Sequence, residues 1–86
     1  MTKTILLATA LIAAPMFASA MPAIGDHVGN TPETATAALG DAGCTVTKFG
    51  AEDGMIEAKC DDANKAHWEV YIDPTSGDVV KIKEND

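Results

Sequence analysis

The sequence predicts an α+β domain, one short helix packed on a four-stranded antiparallel β-meander, behind an N-terminal signal peptide. Three observations carry this expectation. Residues 31–43 form a capped run with apolar positions at helical spacing. From Cys44 onward the apolar period falls to two. Turn-forming stretches (GAEDG, DDANK, DPTSG) then divide the remainder into short β-branched segments.

Residues 1–20 read MTKTILLATALIAAPMFASA. Lys3 supplies a positive n-region, and Ile5 to Ala14 is an uncharged, mostly apolar run that Pro15 breaks. Ala18-Ser19-Ala20 is the small-x-small pattern that signal peptidase reads, so cleavage is expected before Met21. A membrane span needs about 20 apolar residues, roughly twice this run. No membrane insertion is therefore expected after cleavage, with an uncleaved N-terminal anchor as the competing reading. The expected location is periplasmic or secreted. Residues 21–30 carry Pro and Gly with few apolar side chains and read as a flexible lead-in, which leaves residues 31–86 as the folded domain.

Each element of that domain has a local cause. Thr31 can cap free backbone N–H groups, Pro32 suits the first helical position, and Glu33 suits the positive end of the helix dipole. Ala35, Ala38, Leu39 and Ala42 follow on one face, and Gly43 ends the helix. Gly40 weakens it by about 1 kcal/mol relative to alanine. Cys44–Phe49 alternates as a first strand, and Gly50–Gly54 reads as a five-residue turn. Met55–Cys60 is a second strand and Asp61–Lys65 a second turn. His67–Ile72 is the clearest strand, Asp73–Gly77 a turn, and Val79–Lys83 the last strand. Alternation places Trp68, Val70 and Ile72 on the helix side, with Val46, Ile56 and Ala58 beside them. The expected core anchors are Leu39, Val46, Trp68, Val70 and Ile72, with Trp68 largely buried. In the last strand Val80 and Ile82 fit the core, Val79 competes, and a bulge near Gly77 would shift the phase.

Composition excludes several functions. The chain has a net charge of −7, and beyond residue 20 its basic side chains are Lys48, Lys59, Lys65, Lys81 and Lys83 alone. Nucleic acid binding needs clustered cations, so nucleic acid is not an expected partner. His27 and His67 stand far apart and outside any ligand cluster, so no metal site is expected. Glu52-Asp53 and Asp61-Asp62 lack the ordered oxygens of a calcium loop and read as solvated turn residues. No nucleophile elbow, phosphate loop or Ser/His/Asp set is present, so no catalytic residue and no cofactor is expected.

Cys44 and Cys60 are the only cysteines. If Gly50–Gly54 closes the first hairpin, Phe49 faces Met55, Val46 faces Ala58 and Cys44 faces Cys60. Directly opposed residues lie close enough for a disulfide, and an exported chain keeps one. A redox-active pair is the weaker reading, since there is no C-x-x-C motif. On the opposite face Phe49, Met55, Tyr71 and Val79 are expected to point away from the helix. They read either as ordinary cross-strand packing or as a contact patch for a protein partner.

Leu39-Gly40-Asp41-Ala42-Gly43-Cys44-Thr45-Val46 resembles the "Leu-x-x-x-Gly-Tyr-x-Val" opening of PepSY-type domains. The segment from Trp68 to Val80, WEVYIDPTSGDVV, resembles their "aromatic-Glu-Val-x-Val-Asp-Pro-x-x-Gly-x-Val-Val" closing. The resemblance covers about Thr31 to Lys83. Cys44 stands where the family commonly has tyrosine, and Cys60 makes that departure a matched pair. The resemblance implies a non-catalytic binding module whose partner is a peptidase that it modulates or restrains. It carries over no ligand or catalytic residue. The alternative, from another class, is a small acidic envelope-homeostasis or stress protein with no protease target.

Overall fold

The computed structural model describes residues 21–85 of the chain; the expected signal peptide, residues 1–20, lies outside them. The order is one helix, α1 (Pro32–Asp41), followed by strands β1 (Thr45–Glu52), β2 (Met55–Asp61), β3 (His67–Ile72) and β4 (Val79–Glu84). The strands form one antiparallel meander in sequence order. Thr31 caps α1 as expected, accepting a hydrogen bond from the Thr34 backbone N–H at 3.2 Å. The Thr34 hydroxyl closes the box by reaching back to the Thr31 N–H.

The first hairpin departs from the expected register. Asp53 and Gly54 both adopt positive φ, 54° and 79°, the signature of a two-residue Asp-Gly turn that matches strand twist. β1 therefore continues through Gly50, Ala51 and Glu52, and Glu52 rather than Phe49 faces Met55. Phe49 faces Ala58, and Val46 faces Cys60. A bulge at Thr47 inserts one residue between Val46 and Lys48. That extra residue keeps Val46 and Phe49 on the same side of the sheet despite their odd spacing. The disulfide forms nonetheless. Cys44 sits just ahead of β1 and reaches Cys60 with a Cα–Cα separation of 5.3 Å.

A second bulge opposite Tyr71–Ile72 settles the last strand. Val79 pairs with Ile72 and is buried, Val80 is displaced outward and 42% exposed, and Ile82 returns to the inner face opposite Val70. The inner face thus reads in three rows across the sheet: Val46–Cys60–Trp68–Glu84, Phe49–Ala58–Val70–Ile82, and Ala51–Ile56–Ile72–Val79. Ala35 and Leu39 of α1 pack on this face with Cys44, Ala58, Cys60, Val70, Ile72 and Val79. The helix begins beside the β3–β4 turn, where Asn30 Nδ2 donates to the Pro74 carbonyl at 2.9 Å. It ends at the start of β1, where the Cys44 N–H donates to the Leu39 carbonyl at 2.8 Å. α1 therefore crosses the sheet diagonally. The two corners off that diagonal hold four of the half-buried residues, Trp68 and Ile82 in one, Phe49 and Ile56 in the other; Val46, at the start of β1, is half-buried as well. Trp68, expected to lie buried under the helix, is only half-buried for this reason.

Residues Met21–Asn30 are not a loose lead-in. They form a strap along the start of β4: Gly25 N–H donates to Val79 O, Val79 N–H to Asp26 O, and Val28 and Gly29 N–H to Gly77 O, all within 2.8–3.0 Å. Val28 joins the core, and His27 Nδ1 meets Asp78 Oδ1 at 2.9 Å. Gly77 makes this closeness possible. Its φ is +78°, and a Cβ there would stand 2.9 Å from the Gly29 backbone. Gly77→Ala should cost more than about 1 kcal/mol. Gly40, inside α1 with nothing near its missing Cβ, predicts the opposite sign, a gain of about 0.5–1 kcal/mol for Gly40→Ala. Urea denaturation of the two variants checks both.

Candidate functional site: the uncovered face of the sheet

The face of the sheet away from α1 carries Lys48, Gly50 and Glu52 from β1, and Met55, Glu57, Lys59 and Asp61 from β2. β3 adds His67, Glu69 and Tyr71, and β4 adds Lys81 and Lys83. Two of the four side chains read as one apolar patch are here, Met55 and Tyr71. The other two are not. Phe49 and Val79 lie on the helix face, moved there by the two bulges and the short turn. The patch is thus a polar surface with one aromatic ring at its centre.

That ring is unusually covered for a residue on the outer face, only 3% exposed. Long neighbours close over it. Lys81 Nζ stands 5.2 Å from the ring centroid, within cation–π range. The hydroxyl donates to Glu69 Oε1 at 2.7 Å, with Glu57 Oε2 at 3.2 Å and Glu52 Oε1 at 3.5 Å. A phenol has a single proton, and the short bond assigns it to Glu69. This bond, then burial, then the surrounding carboxylates push the Tyr71 pKa well up, so the phenol stays protonated. Glu69 is held below the usual carboxylate range, first by that same bond and further by Lys83, 3.6 Å away. Glu69-x-Tyr71 was legible as a same-face pair from spacing alone. Glu57 and Glu52 were not, because placing them required the true hairpin register.

A second polar knot fixes the β2–β3 turn. Asp62 Oδ1 accepts from the Asn64 and Ala66 N–H groups at 2.8 and 3.0 Å, and Oδ2 accepts from the Trp68 indole N–H at 2.9 Å. His67 Nδ1 lies 2.7 Å from Asp61 Oδ1. The Trp68 bond first, then the Ala66 N–H, lower the Asp62 pKa. A carboxylate with a depressed folded-state pKa stabilises fully above its unfolded value, and that contribution is lost as pH falls through the folded one. Wild-type unfolding temperature should therefore drop on acidification below about pH 4. Asp62→Ala should be less stable at neutral pH and lose less on acidification. Melting curves across that range, read by Trp68 fluorescence, test this.

Among the described residues no three His, Cys, Asp or Glu side chains converge on a metal-binding position. No helix there is long and apolar enough to cross a membrane. The Cys44–Cys60 disulfide fits an oxidising compartment. No curated protein and no solved structure matches the chain. One family model does, that of the peptidase propeptide and YPEB domain, over residues 2–83. The match over nearly the whole sequence, with helix α1 and the four-stranded meander of the described residues, leads to one conclusion: this chain belongs to the PepSY family of peptidase propeptide and YPEB domains.

Proposed function

We propose that this protein is an exported, non-catalytic module that binds a periplasmic or secreted peptidase and restrains it. The observation that carries the reading is the family match over residues 2–83, in a family described by its peptidase propeptides and generally without catalytic activity. Export is supported by the signal-like residues 1–20, with cleavage after Ala20, and by a disulfide that an oxidising compartment preserves.

The contact surface in this reading is the uncovered sheet face. α1 occupies one side of the sheet and the strap occupies the start of β4. The other side is left with Met55, Glu57, Lys59 and Lys81 around the buried, hydrogen-bonded Tyr71. Its charges alternate in sign, which favours register and partner choice more than raw affinity. Phe49 and Val79, being on the helix face, are not part of this surface.

The test is titration of the purified protein into peptidases exported by its own cell, following hydrolysis of a casein substrate. Dose-dependent inhibition is expected, weakened by roughly tenfold or more when Met55→Arg and Glu57→Lys are combined. Absence of both inhibition and complex formation across those peptidases would remove the reading, in favour of an acidic envelope protein without a protease target.

A further inference from the structure

We propose that the free edge of β1 pairs with the same edge of a second copy of this chain, Lys48 of each protomer facing Glu52 of the other. The proposal is independent of peptidase binding. It rests on the geometry of one segment, Lys48–Glu52.

Among the described residues β1 is an edge strand, paired with β2 on one side only. The Asp53-Gly54 turn determines which of its main-chain groups remain free. In a two-residue turn the fourth residue's N–H bonds the first residue's carbonyl, so Glu52 and Met55 are a hydrogen-bonded pair. Antiparallel pairs alternate between bonded and non-bonded, and no bulge interrupts the ladder from Lys48 to Glu52. Gly50 and Lys48 therefore direct their N–H and C=O groups toward β2. Phe49 and Ala51 direct theirs outward. Among the described residues, neither the strap nor any loop supplies a backbone partner for that edge.

Two such edges can join antiparallel only if outward-directed residues face outward-directed residues. Phe49 opposite Ala51 of the second copy satisfies this, with Gly50 opposite Gly50 on the two-fold axis. The same register sets Lys48 opposite Glu52 twice, once on each side of the axis. Slipping by two residues in either direction preserves the hydrogen bonding but places Lys48 opposite Gly50 or Gly54 instead. Charge thus selects one register, and the pattern is self-complementary, as a two-fold contact requires. It also answers a local conflict. Lys48 sits opposite Lys59 across the β1–β2 ladder, and among the described residues no carboxylate lies within 4.0 Å of its ammonium. On the helix face, the pairing lays half-buried Phe49 against exposed Ala51, an apolar cross-strand pair.

The other edge lacks these properties. The strap already occupies the start of β4, and Val80 bulges outward. Its outer-face charges are Lys81 and Lys83, so self-pairing would oppose like charges. Lysines and bulges are the usual means of blunting an edge. β1 has its bulge at Thr47, outside the regularly paired Lys48–Glu52 stretch.

Sedimentation equilibrium of the purified protein, from micromolar to millimolar concentration, tests the proposal. A reversible monomer–dimer equilibrium is expected. Lys48→Glu and Glu52→Lys should each weaken it by roughly tenfold or more, because each puts like charges at both facing positions. Mixing the two single variants should restore a heterodimer, in which every facing pair is again opposite in charge. Ala51→Pro removes an outward N–H without touching the β1–β2 ladder and should also give monomer. Strictly monomeric wild-type protein at all concentrations would overturn the proposal. So would a dimer indifferent to the charge variants, or a mixture that fails to recover association.

Discussion

Leu39→Ala is expected to be the most damaging single substitution in the protein, at about 2–5 kcal/mol. Leu39 is fully buried and, with Ile72, is among the largest fully buried side chains of the described residues. It comes from the last turn of α1 and packs in the core with Cys44, Ala58, Cys60, Val70, Ile72 and Val79. Truncation leaves a cavity that neighbours cannot fill, because Ala35 and Ala58 beside it are already small. A domain of this size has little stability to lose. The variant should unfold at a much lower urea concentration, and far-ultraviolet circular dichroism at 25 °C should show a substantial unfolded fraction. An unchanged midpoint would mean the helix does not hold the sheet. Trp68→Ala, by contrast, removes a half-buried ring and a hydrogen bond to Asp62. Its cost should fall below that of a fully buried tryptophan.

Loss of the Cys44–Cys60 bridge is the second large effect. The two residues are separated by 16 positions, and closing a loop of that size stabilises by about 3 kcal/mol in the chain-entropy model. The bridge does more than hold a hairpin closed. Cys44 lies between the end of α1 and the start of β1, so the bond fastens the helix exit to β2. The double variant Cys44→Ala/Cys60→Ala should keep the fold at low temperature and lose about 2–4 kcal/mol. Both cysteines are buried, at 0% and 1% exposed, so reductant should act only as fast as the protein opens. Thiol titration of native protein should find no reactive thiol; two would contradict the bond.

The helix was legible in the sequence because its signals are local. Thr31, Pro32 and the Ala35–Leu39 spacing each act within one or two turns, and they reappear as the cap, the first turn and the buried stripe. β3 was legible for the same reason, with HWEVYI alternating strictly. Register was not. Gly50 in GAEDG invited a five-residue loop, while the Asp-Gly dipeptide alone makes the tighter turn, and that difference moved Phe49 to the other partner and the other face. Bulges are harder still: nothing in Thr47 announces an extra residue until both strands are aligned, and in the last strand the competing Val79 and Val80 raised a bulge without fixing its position. The strap was missed because its bonds are made by backbone groups of Gly25–Gly29 to residues some fifty positions away. No periodicity reports such contacts. The polar surroundings of Tyr71 fall between these cases: Glu69 follows from spacing, whereas Glu52 and Glu57 follow only from register.

The strap also sets an order in time. Each pairing within the sheet joins strands adjacent in sequence, the low contact-order arrangement that folds quickly. The strap joins Gly25–Gly29 to Gly77–Val79, so its loop-closure entropy is repaid only after the meander has brought β4 into position. It should therefore be the last part of the described backbone to lock and the first to open. In native-state hydrogen exchange the amides of Gly25, Val28 and Gly29 should therefore exchange through a small local opening, while those of Val70 and Ile72 wait for global unfolding. Val79 belongs to the early group, because its N–H is bonded to the strap at Asp26. The expected first step of unfolding is thus release of the strap, and that step adds the start of β4 to the already free edge of β1.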